Sequence, residues 1–136
     1  MGGRFVLYTD GASRGNPGLA AIGAALYRLD DDKLVLVGQV SDAIGRATNN
    51  VAEYQAVIAG LTAALPFEPD ELWLRADSQL LIRQLEGRYR VKNATLQELF
   101  TKARKLLRAM PSYRLEHVPR EENVVADALA NAALDR

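Results

Sequence analysis

The chain has 136 residues, no cysteine, a quarter of its residues charged and a formal net charge of zero. That length predicts one domain, 1–136, able to bury a core without staples, and the lack of cysteine excludes disulfides and thiolate metal sites. No apolar run reaches the ~18 residues of a membrane span and the opening MGGRFVLYTD has no signal-peptide architecture, so a cytoplasmic location is expected.

Residues 4–9 (RFVLYT) are rich in β-branched and aromatic side chains and predict a strand ending at the turn signal Asp10-Gly11. Residues 20–29 and 33–40 flank the polar turn Asp30-Asp31-Asp32 and predict a hairpin, so the first three strands form an antiparallel meander. Val51, Tyr54, Ile58, Leu61 and Leu65 recur at spacings of three and four, the signature of an amphipathic helix, bounded by Pro66 and Pro69. Residues 71–76 (ELWLRA) predict a fourth strand, with Trp73 placed in the core. Residues 78–86 predict a short helix closed by Gly87. A longer helix over 94–109 turns Leu96, Leu99, Ala103, Leu106 and Leu107 inward and stops at Met110-Pro111. Residues 112–118 predict a fifth strand and 122–134 a closing helix. The order βββαβααβα implies an α/β fold, a five-stranded mixed sheet with helices packed on its faces.

Charge is unevenly spread along this order. From Arg83 to Arg120 ten Lys and Arg stand against Glu86, Glu98 and Glu116, a segment of +7 in a chain whose remainder is −7. Such asymmetry predicts a basic surface beside an acidic site, or a solvated helix face.

Four carboxylates carry the candidate chemistry: Asp10 in YTDGASRGNPG, Glu53 in RATNNVAEY, Asp77 in LRADSQ and Asp127 in REENVVADALA. Each has an ordinary alternative. Asp10 suits a turn, Glu53 suits the third position of a helix starting at Asn50, and Asp77 suits an N-cap. Asp127 is different, because it falls among Val124, Val125, Ala126, Ala128 and Leu129, where a carboxylate needs a partner. In a mixed sheet the first and fourth strands can be parallel neighbours, which brings Asp10 and Asp77 to one edge. Glu53 sits in the first turn of the helix between those strands, beside the small residues Ala56 and Gly60. Asp127 shares a stripe with Asn123 and Asn131. Carboxylates this close stay ionised only if cations neutralise them. Oxygen-only ligands favour Mg²⁺ or Mn²⁺, and two such ions suit in-line phosphodiester cleavage.

These motifs resemble type 1 ribonuclease H over the whole length. The matching segments are Asp10-Gly-Ala-Ser-Arg-Gly-Asn16-Pro17-Gly18, Thr48-Asn49-Asn50-Val-Ala-Glu53, Asp77-Ser78, and His117 through Asn123 to Asp127. The resemblance implies a ribonuclease H-like fold and an endonuclease that cuts the RNA strand of RNA/DNA hybrids, leaving 5′-phosphate and 3′-hydroxyl ends. It implies Asp10, Glu53, Asp77 and Asp127 as ligands of two Mg²⁺ or Mn²⁺ ions, and His117 as a catalytic assistant. Pro119 departs from the flexible loop of some members, which leaves Arg120 as the alternative assistant. Asn16, Asn49 and Asn50 match the family's readers of the RNA strand, and Arg46, Thr48 and Asn93 its phosphate pocket on the DNA strand. The tryptophan-bearing basic insertion of many members is missing, with Arg88, Tyr89, Arg90 and Lys92 as a reduced substitute. A monomer without a separate N-terminal hybrid-binding domain is expected. Cleavage of double-stranded RNA, or a catalytically weak nucleic-acid-binding module, are the competing readings.

Overall fold

The computed structural model describes residues 2–136. Its sheet runs β3-β2-β1-β4-β5, with β1 Arg4–Gly15, β2 Gly18–Asp30, β3 Lys33–Ala47, β4 Glu71–Ala76 and β5 Tyr113–His117. The helices are α1 Asn49–Ala64, α2 Gln79–Leu85, α3 Ala94–Arg108 and α4 Val124–Asp135, so the order of elements is the predicted one. β1, β2 and β3 are antiparallel neighbours, whereas β1–β4 and β4–β5 are parallel.

Boundaries differ most in the first three strands. Asp10-Gly11 is not a turn: β1 continues for five residues beyond Asp10 and pairs with β2 as far as Gly15↔Gly18. The reversal falls at Gly15, whose φ of 126° lies where side chains are disfavoured. β3 likewise runs on to Ala47, with register shifts in its pairing to β2 that bend the strand. At the helix starts the caps move too. Thr48, not Asn50, caps α1 by accepting from Val51 N at 3.2 Å, and Ser78, not Asp77, caps α2 by accepting from Leu81 N at 3.2 Å. Both shifts free an acid from a local structural duty.

The core lies between the sheet and α1, α2 and α3, built from Phe5, Leu7, Leu26, Tyr54, Leu61, Leu72, Leu74, Ile82 and Leu107 among others. α1 approaches the sheet closely because Gly60 faces it: a Cβ there would lie 2.9 Å from Leu7 Cδ1. α4 covers part of the other face. A Cβ on Gly23 would lie 2.1 Å from the Ala126 carbonyl oxygen, so the helix backbone rests directly on β2. Alternation along β4 corrects the placement of Trp73. Leu72, Leu74 and Ala76 point into the core, so Trp73 shares the opposite face with Glu71 and Arg75 and is only half buried. Leu34, Leu36, Val124 and Val125 are exposed, an apolar surface that periodicity within single elements does not reveal.

Candidate active site

Parallel pairing of β1 with β4 ends at Thr9↔Ala76, which sets Asp10 and Asp77 side by side at the carboxyl ends of the two central strands. α1 then delivers Glu53 from above β1. Oxygens of Asp10, Glu53 and Asp77 lie within 4.8 Å of one another. Asp10 and Glu53 are buried, Asp77 half buried. Asp127, half buried in the first turn of α4, stands outside that trio but lines the same cleft of about 410 Å³, together with Ser78, Arg120, Asn131 and the backbone of Gly11. Three of the four predicted acids therefore converge mutually, and the fourth, Asp127, reaches the cluster through its contact with Asp10.

Three of the four acids, Glu53, Asp77 and Asp127, are held by specific donors. Gly11 N donates to Glu53 Oε1 at 3.3 Å, possible because the glycine lets α1 come within backbone contact. Buried Asn123 donates through Nδ2 to Asp77 Oδ2 at 3.1 Å and to the Thr9 carbonyl at 2.9 Å, tying the end of β4 to the residue before Asp10. Asn131 donates to Asp127 Oδ1 at 3.2 Å, the partner that this carboxylate requires on an otherwise apolar helix. Sequence reading placed Asn123 and Asn131 on the Asp127 stripe without giving them partners. Their spacing of four on either side of Asp127 was the signal.

The electrostatics are those of acids crowded together, with Arg120 as the cleft's one positive charge among the described residues. Burial first, then the Glu53 charge, contact with Asp127 and the Asp77 charge, push the Asp10 carboxyl up to about 9. Burial also raises Glu53, to about 7, against the opposing pull of the Gly11 amide and the Arg120 guanidinium. Glu53 Oε2 is buried with no hydrogen-bond partner, an acceptor left for something else to satisfy. An all-oxygen donor set with an orphaned carboxylate oxygen fits a hard divalent cation.

A pH dependence follows with a definite sign. Both folded-state values lie above those of the unfolded chain, so the folded metal-free protein retains protons that the unfolded chain has released. This contribution is full below the ordinary carboxylate range and is lost as pH rises toward 9. Urea unfolding in chelator should show stability falling by on the order of a few kcal/mol between mildly acidic and alkaline pH. Added Mg²⁺ should remove most of the fall. A metal-free stability that rises over this range would contradict the assignment.

The remaining candidates separate into two groups. Asn16, Thr48, Asn49, Asn50 and Asn93 line a second hollow of about 630 Å³ with Thr95 and Leu96. The Asn16 Oδ1 accepts from Asn49 N at 3.1 Å, and the Asn49 Oδ1 accepts from Ser13 N at 3.0 Å, bracing the loop before α1 against β1. Thr48 and Asn93 cap α1 and α3 through their oxygens, so both helix N-termini open into this hollow. Arg46, by contrast, is exposed on β3 and does not line it. His117 ends β5 exposed and does not line the acid cleft, whereas Arg120 does.

The sheet order with acids at the ends of its central strands defines the class, a ribonuclease H-like fold carrying a carboxylate cluster. A profile of the family described as reverse transcriptase-like matches residues 8–133. Ribonuclease HI of Halobacterium salinarum is 49% identical over 98% of this chain and 66% of that protein. The crystal structure of ribonuclease H1 from the same archaeon superimposes with a TM-score of 0.92 over 98% of each chain. A ribonuclease H1 isolated from compost by a metagenomic approach, solved in complex with RNA/DNA hybrid, is 40% identical over 96% of each chain with a TM-score of 0.87. A bifunctional protein of Mycobacterium tuberculosis is 42% identical over 97% of this chain. The chain spans only 66% and 36% of the lengths of the Halobacterium and Mycobacterium proteins. The chain belongs to the type 1 ribonuclease H family.

Proposed function

We propose that the chain is an endonuclease hydrolysing the RNA strand of RNA/DNA hybrids, with 5′-phosphate and 3′-hydroxyl products. The observation that carries this reading is the trio Asp10, Glu53 and Asp77, whose oxygens lie within 4.8 Å at the edge of the sheet. With Asp127 they would hold two Mg²⁺ or Mn²⁺ ions. Bound there, the ions supply an activated water and stabilise the charge developing on the leaving oxygen.

The chain's own residues do the positioning. Gly11 N–H and Asn123 Nδ2 fix the carboxylates of Glu53 and Asp77 before substrate arrives, and Asn131 fixes Asp127. Arg120 brings the one positive charge into a cleft whose other charged residues, among those described, are acids, suited to a phosphate oxygen of the scissile strand. Asn16, Asn49 and Asn50 present short polar groups of the kind that read ribose hydroxyls in a shallow minor groove. The Thr48 hydroxyl and Asn93 Nδ2 remain as donors at two converging helix N-termini, a favourable setting for a phosphate of the DNA strand. Arg46 then contributes charge from outside that hollow. We take the enzyme to act as a cytoplasmic monomer, which would meet hybrids wherever RNA and DNA are made together.

The test is a panel of matched end-labelled RNA/DNA, RNA/RNA, DNA/DNA and single-stranded RNA with Mg²⁺ or Mn²⁺. Rapid loss of the hybrid's RNA strand alone supports the reading. Equal cleavage of double-stranded RNA favours the broader nuclease, and binding without cleavage favours a non-catalytic module.

Geometry also ranks the two candidate assistants. Arg120→Ala should lower turnover by about 10²-fold, through loss of a positioned cation in a partly closed site. His117→Ala should change it by about twofold or less, as for exposed residues outside such features. Single-turnover cleavage of a saturating hybrid measures both, and a larger loss for His117→Ala would reverse the ranking.

A further inference from the structure

The sheet face that α4 leaves bare carries a second cationic feature. Trp73, the chain's only tryptophan, has three guanidiniums within reach of its ring. Arg114 lies 4.9 Å from its centroid, Arg4 5.2 Å and Arg75 5.6 Å. Roughly one such contact per 70–80 residues is usual, so three on one indole is a concentration and not a scatter.

The charges on this face do not balance. Arg4 pairs with Glu71 at 3.3 Å and Arg75 with Glu116 at 2.9 Å. Arg114 is exposed and forms no ion pair among the described residues. Three cations held against one ring with two anions leave a positive charge facing solvent beside an aromatic surface. Tyr8 extends that surface, its hydroxyl accepting from Arg75 Nη1 at 2.6 Å.

Position connects the face to the cleft. Register aligns Arg114 with Trp73 and Trp73 with Val6, four residues before Asp77 and Asp10. At the rise of a strand this is about 13 Å from the acids, a few nucleotides of an extended strand. Arg120, which lines the cleft, adds a cation beside the acids.

We propose that the Trp73–Arg114 face is a secondary binding site for single-stranded nucleic acid running on from the hybrid in the cleft, with Arg114 on a phosphate and the guanidinium–aromatic stack beneath a base. This rests on the hybrid-cleaving reading above. Exposed stacking surfaces joined to an unpaired cation are the means by which strands are held without sequence preference.

The experiment uses the full chain and two hybrids of the same duplex, one blunt and one with a single-stranded DNA extension. Binding is followed in chelator by the fluorescence of Trp73, and cleavage separately in Mg²⁺. The extended hybrid should bind roughly tenfold more tightly and change Trp73 emission more than the blunt one. Arg114→Glu, and the milder Arg114→Gln should the first fold poorly, should abolish that advantage while leaving blunt-hybrid cleavage unchanged. If the blunt hybrid is not cut at all, the hybrid-cleaving reading fails. If it is cut but the extension gives no advantage, or the Arg114 variants keep it, the secondary site is wrong. An Asp/Glu-rich peptide that displaces the extension's signal while the Arg114 variants retain tight strand binding would equally overturn it, pointing to an acidic protein partner.

Discussion

Asp10→Asn is expected to reduce hybrid cleavage by about 10³-fold or more, the scale of losing a positioned charge at a metal-dependent phosphodiester site. Asp10 stands at the centre of the trio and feels burial, Glu53, Asp127 and Asp77 together. An amide cannot ionise, so the substitution removes the buried charge that the metal-free protein must otherwise suppress by holding a proton. The same variant should therefore melt at a higher temperature than the wild type in chelator at alkaline pH, while binding hybrid nearly normally. That opposite movement of activity and stability separates loss of the site from loss of the fold. Wild-type turnover in Mg²⁺ would sink the assignment of Asp10 as a metal ligand, and lowered stability in chelator would sink the account of its strain.

Gly11→Ala is expected to damage the fold and the site together. The added Cβ would stand 2.3 Å from the Ala52 carbonyl carbon, 2.4 Å from Glu53 N and 2.5 Å from the Ala52 oxygen. All three are backbone atoms, so no rotamer change relieves the contact and α1 must move away from β1. Overpacking of this kind costs about 1–3 kcal/mol or more. Because the displaced segment carries Glu53 and breaks its hydrogen bond from Gly11 N, turnover should also fall, by on the order of 10²-fold for a shift near 1 Å. Gly38→Ala is the control, since its Cβ would meet only Leu26 side-chain carbons at 3.8 and 3.9 Å. Denaturant midpoints and single-turnover rates for the pair check the argument. Equal effects at Gly11 and Gly38 would show that α1 is not seated on β1 as described.

Sequence alone determined the order and type of the elements and the identity of the acids, because those signals are local. Hydrophobic spacing of three and four marks α1 and α3, and the runs at 4–9 and 71–76 mark the two central strands. Once the first and fourth strands are taken as parallel neighbours, Asp10 and Asp77 must share an edge, and the register Thr9↔Ala76 places them there. The extent of β1 through Asp10-Gly11 was not legible, because an Asp-Gly pair reads the same in a turn and in a strand; pairing with β2 decided it. Capping by Thr48 and Ser78 in place of Asn50 and Asp77 was a choice among adjacent cap-forming residues that the folded structure settled. Only the tertiary structure showed Asn123 and Asn131 holding acids, Arg120 entering the cleft while His117 stays exposed, and Arg46 standing outside the hollow of Thr48 and Asn93. Trp73 passed from expected core to a solvent-facing stack for the same reason. A strand's alternation says that two faces exist, but which face a helix covers is decided by elements distant in sequence, here by α4 resting on Gly23 and leaving β4 and β5 bare.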